Sequence, residues 1–233
     1  MIDIKTLASS SKGNCYHITD GSTPLLLECG IGFKEIRKAL KFNTSSLAGC
    51  MVTHEHGDHT KGLKDVVKAG INVYMSPGTK EALNIDHHRI KPVEPKKQFQ
   101  IGTWTILPFD VEHDVNEPVG YLLANQSGDK LLFATDTYYI RYKFKGLTHL
   151  LVEVNYSRDI LDQNILEGTV PQMMRKRLIR SHFSLENFKE FLKANDLSKV
   201  EEIHLLHLSD SNSDEERFKR EIQELTGKVV YIA

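Results

Sequence analysis

Residues 52–59 read Val52-Thr53-His54-Glu55-His56-Gly57-Asp58-His59, an apolar segment that runs straight into a His-x-His-x-Asp-His pattern. Imidazole and carboxylate groups are the ligands that borderline and hard divalent cations take. Four of them stand within six residues, too close together for all to reach one ion easily. An extended start would put His54 and His56 on one side, because strand side chains alternate. A tight turn permitted by Gly57 would then aim Asp58 and His59 at a second point, so the spacing predicts two adjacent metals rather than one. Further donors follow apolar runs: His113 after Phe109-Asp110-Val111-Glu112, Asp136 after 131–134, and His207 after 203–206. Each alone is an ordinary strand-end residue. Together, in this order behind the first motif, they extend the set to seven. Mixed His and carboxylate ligands suit Zn, Mn or Fe, and two such divalent ions are expected.

Elements that must position these residues are legible around them. Short apolar runs at 2–7, 15–19, 25–27, 49–52 and 73–75, separated by Gly- and Ser-rich turns, predict strands. Helical spacing covers 33–40, with Phe33, Ile36 and Leu40 on one face, and 63–69, closed by Gly70. A meander is predicted over 98–101, 104–107, 119–124 and 130–134, then strands over 147–154 and 202–208. Helices are expected over 171–179, 185–194 and 214–225. The last would open with Ser213 and Glu216 as a capping box and stop at Gly227. Strands then helix, twice over, predict two packed sheets with helices outside, and no linker breaks residues 1–233 into separate domains.

The 233 residues are 40% apolar and 26% charged, which excludes a disordered or fibrous chain. The net charge of −1 excludes a strongly basic nucleic-acid coat. Charge is uneven, however: residues 137–193 hold ten Lys and Arg against six Asp and Glu. The excess peaks at Arg175-Lys176-Arg177 with Arg180, and at Arg141, Lys143 and Lys145. That is either a solvated helix face or a rim that faces phosphate. Cys15, Cys29 and Cys50 are sparse, odd in number and in apolar surroundings, so they read as reduced thiols of a cytoplasmic protein. No signal peptide or membrane span is apparent.

The metal-ligand pattern resembles the metallo-β-lactamase-fold hydrolases. That resemblance implies an α/β fold, a four-layer αββα sandwich. It also implies one metal held by His54, His56 and His113, a second held by Asp58, His59 and His207, and Asp136 bridging them. A bridging aspartate is typical of the superfamily's phosphodiesterases and thioester hydrolases, whereas its antibiotic-degrading lactamases carry cysteine there. The opening Leu7-Ala8-Ser9-Ser10-Ser11-Lys12-Gly13-Asn14-Cys15 is similar to that of the YycJ-type exonucleases. So are His113-Asp114 with Glu117-Pro118-Val119-Gly120-Tyr121, Thr135-Asp136-Thr137, Glu153-Val154-Asn155-Tyr156, His182-Phe183-Ser184 and His207-Leu208-Ser209. Ribonuclease Z and the phosphonate-pathway phosphodiesterases share part of this set. The chain departs from the pattern at Glu28, commonly Asp, at Ser181, usually Gly, and at Leu185, usually Asn. His17, His87, His88, His149 and His204 match no ligand position, and Asp114 reads as a residue that orients a ligand.

The expected function is a metal-dependent phosphodiesterase, a nuclease of 5′-exonuclease type acting on DNA. Two metals would share a bridging water and lower its pKa, so that hydroxide attacks phosphorus near neutral pH. Asp58 would orient the nucleophile as well as bind metal, and His182 would donate a proton to a phosphate oxygen or the leaving group. Arg177, Arg180 and Ser184 are the expected substrate-binding residues, with nucleic acid as the partner and no membrane. The alternatives are a phosphodiesterase on RNA or a small cyclic nucleotide, a glyoxalase II-like thioester hydrolase, and a metal-stabilised binding module without catalysis. The charge excess near 175–180 and the His-x-Ser pair disfavour the thioester.

Overall fold

Short apolar runs alternate with turn-forming Gly, Ser and Asp through the amino-terminal residues. In the computed structural model, which describes residues 1–233, they form a hairpin followed by a parallel run. Strands β1 (Asp3–Ser10), β2 (Gly13–Thr19), β3 (Leu25–Leu27), β4 (Gly49–Met51), β5 (Val73–Met75) and β6 (Ile90–Pro92) lie in that order in one sheet. The first three pair antiparallel and β3 to β6 pair parallel. Parallel strands covered on both faces need continuous apolar runs, and β3 and β4 are buried at every position. Helices α1 (Phe33–Ala39), α2 (Gly57–Thr60), α3 (Leu63–Lys68) and α4 (Pro77–Ala82) connect them. Leu26, Ile36, Val52, Val66 and Val73 form the core between sheet and helices, each worth roughly 1.5–3 kcal/mol on burial. Cys15, Cys29 and Cys50 belong to that core and form no disulfide. Burial pushes the Cys15 thiol up, and the Cys29 hydrogen bond, with burial, does the same for Cys50.

Strands β7 (Phe99–Ile101), β8 (Trp104–Asp110) and β9 (Val119–Ala124) follow, pairing antiparallel as the first three strands of the expected meander. The Trp104 indole donates to the Thr23 carbonyl at 2.8 Å, and the Tyr121 hydroxyl donates to the Val52 carbonyl at 2.7 Å. The first ties the meander to the approach to β3, and the second ties it to the segment that leads from β4 into the His-rich motif. Residues Met1–Asp110 and Val115–Asp129 make up this first compact unit.

The second unit comprises Val111–Asp114 and Lys130–Ala233. Its strands β10 (Lys130–Ala134), β11 (His149–Glu153), β12 (Glu202–Leu206) and β13 (Val229–Ile232) are all parallel. Ala134 pairs with Val152, and Val152 with Leu205, so β10, β11 and β12 end side by side. The carboxyl edge of a parallel sheet is where open α/β folds place ligands. Asp136, Glu153 and His207 all occur at this edge.

Helices α5 (Arg158–Leu166), α6 (Gln172–Ser181), α7 (Leu185–Ala194) and α8 (Glu215–Thr226) complete the unit. Helix α7 buries Leu185, Phe188, Phe191 and Leu192, and Ser184 caps it by accepting the Asn187 amide at 3.1 Å. Gly227 ends α8 at φ 65°, as its position predicts. The opening of α8 differs from expectation. Asp214, not Ser213, caps it and accepts from the Arg217 amide at 2.9 Å, because the Ser213 hydroxyl is committed to the Ser209 carbonyl. No helix is long and apolar enough to cross a membrane.

Candidate metal centre

In the first unit the chain leaves β4 through Val52 and Thr53 and delivers the four expected ligands within one turn. His54 and His56 are not on a strand, as the alternation argument assumed. His56 is the N-cap of α2, and Asp58 and His59 lie inside that helix. Gly57 is not needed for the turn either: its backbone is ordinary helix and a Cβ there would meet nothing within 4 Å. The glycine that matters is Gly30, where a Cβ would sit 1.5 Å from the Asp58 carbonyl oxygen. It lets the Glu28-Cys29-Gly30 segment press against α2.

His54 Nε2 and His56 Nδ1 face each other at 3.1 Å, and His59 Nε2 lies 3.3 Å from Asp58 Oδ2. Two ligands on one tetrahedral ion, each ~2.0–2.1 Å from it, stand roughly 3.3 Å apart. Both pairs therefore have the spacing of donors that share a cation. Around them lies a layer of orienting groups. The Thr53 hydroxyl is 2.9 Å from His54 Nδ1 and turns the other ring nitrogen toward His56. The Asn14 amide reaches both His59 Nε2 at 3.3 Å and Asp58 Oδ2 at 3.4 Å. Glu28 is fully buried, accepts from the Thr53 amide at 3.2 Å and lies 3.6 Å from His59 Nδ1. Burial pushes its carboxyl up, and the nearby His59 ring and the bond from Thr53 pull part of the way back. Glu28 adopts φ 63°, a left-handed backbone that a non-glycine residue keeps only where its surroundings demand it.

In the second unit the ligand atoms of Asp136, Glu153, His182 and His207 all lie within 4.8 Å of one another. Asp136 Oδ1 is 2.7 Å from His207 Nδ1 and also accepts from the Thr135 hydroxyl at 2.9 Å. Asp136 and His207 sit at φ 47° and 51°, the same strained region as Glu28. Glu153, fully buried, holds His182 Nδ1 at 2.5 Å with one oxygen. Its other oxygen accepts the amides of Thr137 at 3.0 Å and Phe183 at 3.2 Å. His113 Nδ1 meets the Ser181 carbonyl at 3.1 Å, and Asp114 Oδ1 lies 3.5 Å from the same nitrogen, the orienting place expected of Asp114. Ser181 adds a hydroxyl that donates to Asp114 at 2.9 Å, so this departure from the family pattern leaves His113 firmly held.

Arg177 and Arg180 stand exposed on α6, which ends one residue before His182, while Ser184 is fully buried with its hydroxyl engaged as the α7 cap. Glu28 and Glu153 are the residues that the candidate set did not include. Glu153 had a signal, a charged residue closing an otherwise apolar strand, and Glu28 had one too, a charge directly after β3. A buried donor set of imidazoles and carboxylates, backed by further hydrogen-bonding carboxylates, fits divalent metal.

The profile of the Beta-lactamase superfamily domain matches residues 23–208, so the chain belongs to that superfamily. Its fold is the mixed α/β, two-sheet fold of the metallo-β-lactamase type, and the superfamily is one of metallo-hydrolases. Among characterised relatives it is 27% identical to exodeoxyribonuclease YycJ of Bacillus anthracis, over 96% of this chain and 89% of that one. The metallo-β-lactamase fold protein YhfI of Bacillus subtilis superposes with a TM-score of 0.74 at 15% identity, covering 100% of this chain and 95% of that one. The short form of human tRNase Z superposes at 0.68 and 13% identity, covering 100% and 96%. These two structural likenesses are of fold.

Proposed function

We propose that the chain is a metal-dependent phosphodiesterase, a nuclease that degrades DNA from a 5′ end. The observation that carries this reading is the likeness to an exodeoxyribonuclease along 96% of the chain. His54, His56 and His113 would hold one divalent ion, Asp58, His59 and His207 a second, and Asp136 would bridge them, with Zn or Mn the metals of choice. When bound, the pair supplies positive charge that lowers the pKa of the attacking water and offsets charge growing on phosphate.

The chain's own residues do the rest. Asp58, steadied by Asn14, orients the attacking water. His182 protonates the leaving oxygen from Nε2, because Nδ1 is committed to Glu153. A buried carboxylate behind an imidazole fixes its tautomer and stabilises the imidazolium, which is the place Glu153 occupies. Arg177 and Arg180 grip the flanking backbone from α6, and Ser184 orders the turn beside them. We take the compartment to be the cytoplasm, where three unbridged thiols are at home.

The test is a panel of end-labelled single- and double-stranded DNA and RNA together with an acyl thioester, with Zn or Mn added to chelator-treated protein. Mononucleotides released from DNA 5′ ends are expected. Turnover of an acyl thioester with no cleavage of any nucleic acid would overturn the proposal.

A further inference from the structure

Beyond the candidate ligands, the second unit forms a half-open cavity of about 530 Å³ between residues 138–143 and helix α7. That is ample for a nucleotide-sized ligand, since small-molecule sites run to roughly 300–1,000 Å³. Its walls are aromatic: Tyr139 and Tyr142 on one side, Phe183 and Phe191 on the other. Phe183, Phe188 and Phe191 pack against one another with centroids 6.0–6.3 Å apart, so the phenylalanine wall is rigid. Tyr139, 53% exposed, lines the cavity from the loop. Lys143, exposed, brings positive charge to the lining, and Arg141 stands beside it in its pair with Glu112.

We infer that this cavity is a nucleobase-stacking pocket, which takes the base of a nucleotide next to the scissile phosphate. The inference rests on the nuclease reading and names its substrate as a single-stranded end. Aromatic walls with cations beside them are the chemistry that binds single strands: rings take bases and cations take the backbone. The pocket is also coupled to the candidate site. Glu153 accepts the Thr137 amide, and the Thr137 hydroxyl donates to the Tyr139 carbonyl at 2.9 Å. The same carboxylate holds His182 and the amide of Phe183. One buried residue thus anchors both walls and the proposed proton donor. Tyr139 lies three residues past Asp136, at most ~11 Å along the chain.

The amide, carboxylate and guanidinium side chains of the cavity are already used. Asn187 donates to the Tyr138 carbonyl and accepts from Arg158, and Asn195 accepts the Phe144 amide and donates to the Phe191 carbonyl. Glu190 is paired with Lys193 and Arg141 with Glu112. No amide or carboxylate is left over for the paired readout of base edges, so the pocket should hold all four bases comparably.

The experiment measures equilibrium binding by anisotropy, in EDTA, with single-stranded oligodeoxynucleotides labelled at the 3′ end. One carries bases throughout, and another of equal length carries abasic residues near its 5′ end. Wild type should prefer the base-bearing strand. Tyr139→Ala should weaken that strand about fivefold or more and leave the abasic strand unchanged, while Tyr139→Trp restores the preference. Strands ending in dA, dC, dG or dT should bind within a few-fold of one another. Equal binding of both strands by wild type, or equal weakening of both by Tyr139→Ala at unchanged melting temperature, would overturn the pocket. Cleavage of the same strands with Zn or Mn is scored separately. Cleavage without base-dependent binding removes the pocket and leaves the nuclease, and base-dependent binding without cleavage removes the nuclease and leaves a nucleotide site.

Discussion

The two units assemble their candidate ligands by opposite routes. In the first, His54, His56, Asp58 and His59 come from six consecutive residues at one strand-to-helix turn. In the second, His113, Asp136 and His207 are spread over 95 positions of the sequence, and Asp136 and His207 meet because β10 and β12 end beside β11. Yet both units back their histidines the same way, with one fully buried glutamate just at or after a strand: Glu28 near His59, Glu153 against His182. The difference lies in how close the carboxylate comes, 3.6 Å in the first and 2.5 Å in the second. The looser contact suits a residue that orients a ligand, the tighter one a residue that holds a proton-transferring imidazole.

The largest expected effect is at the second unit's bridge. Asp136→Ala should lose at least ~10²-fold in activity while the protein stays folded, since damage to groups that fix a catalytic metal typically costs 10–100-fold and a bridging ligand belongs at the upper end. Near-normal turnover with two ions bound would remove Asp136 from its assigned place. Next comes the contrast between the two glutamates. His182→Ala and Glu153→Gln should each lower turnover on a phosphodiester by ~10²-fold with the metal content kept, and the double variant should be little worse than either. If His182 only shapes the turn between α6 and α7, the melting temperature should fall while the folded fraction keeps wild-type turnover within a few-fold. Glu28→Gln should instead show itself in metal affinity, weakened ~10-fold in a calorimetric titration, with turnover at saturating metal nearly intact. Should Glu28→Gln depress turnover as Glu153→Gln does, the two glutamates have the same role and the contrast collapses.

A smaller effect is expected far from the ligands. Lys189 and Arg217 both bond Glu221, and Arg217 Nη1 also reaches Asp159 Oδ2 at 2.6 Å, pinning α8 to α7 and α5. Burial pushes the Glu221 and Asp159 carboxyls up, but the bonds from these cations outweigh it and hold both below the ordinary carboxylate range. Folded-state values that are depressed give stability that is present above the unfolded values and lost as pH falls through the folded ones. Urea unfolding should therefore lose on the order of 1 kcal/mol or less from this cluster as pH drops below 4.5, the ordinary glutamate value. Arg217→Ala should flatten that slope, and an unchanged slope would show the cluster to be idle.

Local signals were readable and topological ones less so. Strands β3, β5, β9 and β10 and helix α7 fall where their runs and turns predict, because each carries its own apolar run and boundary residues. Helices α4 and α5 and strands β6 and β13 carry weaker patterns and depend on neighbours for their burial. In β6 only Ile90 is buried, and α5 is mostly polar with Leu161 alone buried. The expected capping box at Ser213 failed because a serine beside an aspartate offers two caps, and a tertiary bond to Ser209 decided between them. The supporting carboxylates were hardest to see. Nothing in the local sequence says that a lone charge at the end of an apolar strand will be buried against a histidine 29 or 31 residues away.

Metal stoichiometry decides whether the two ligand sets serve two ions. Protein purified without chelator, or stripped and titrated with Zn or Mn, should approach two ions per chain by elemental analysis. A firm value of one, with no further uptake at excess metal, would contradict the dinuclear account.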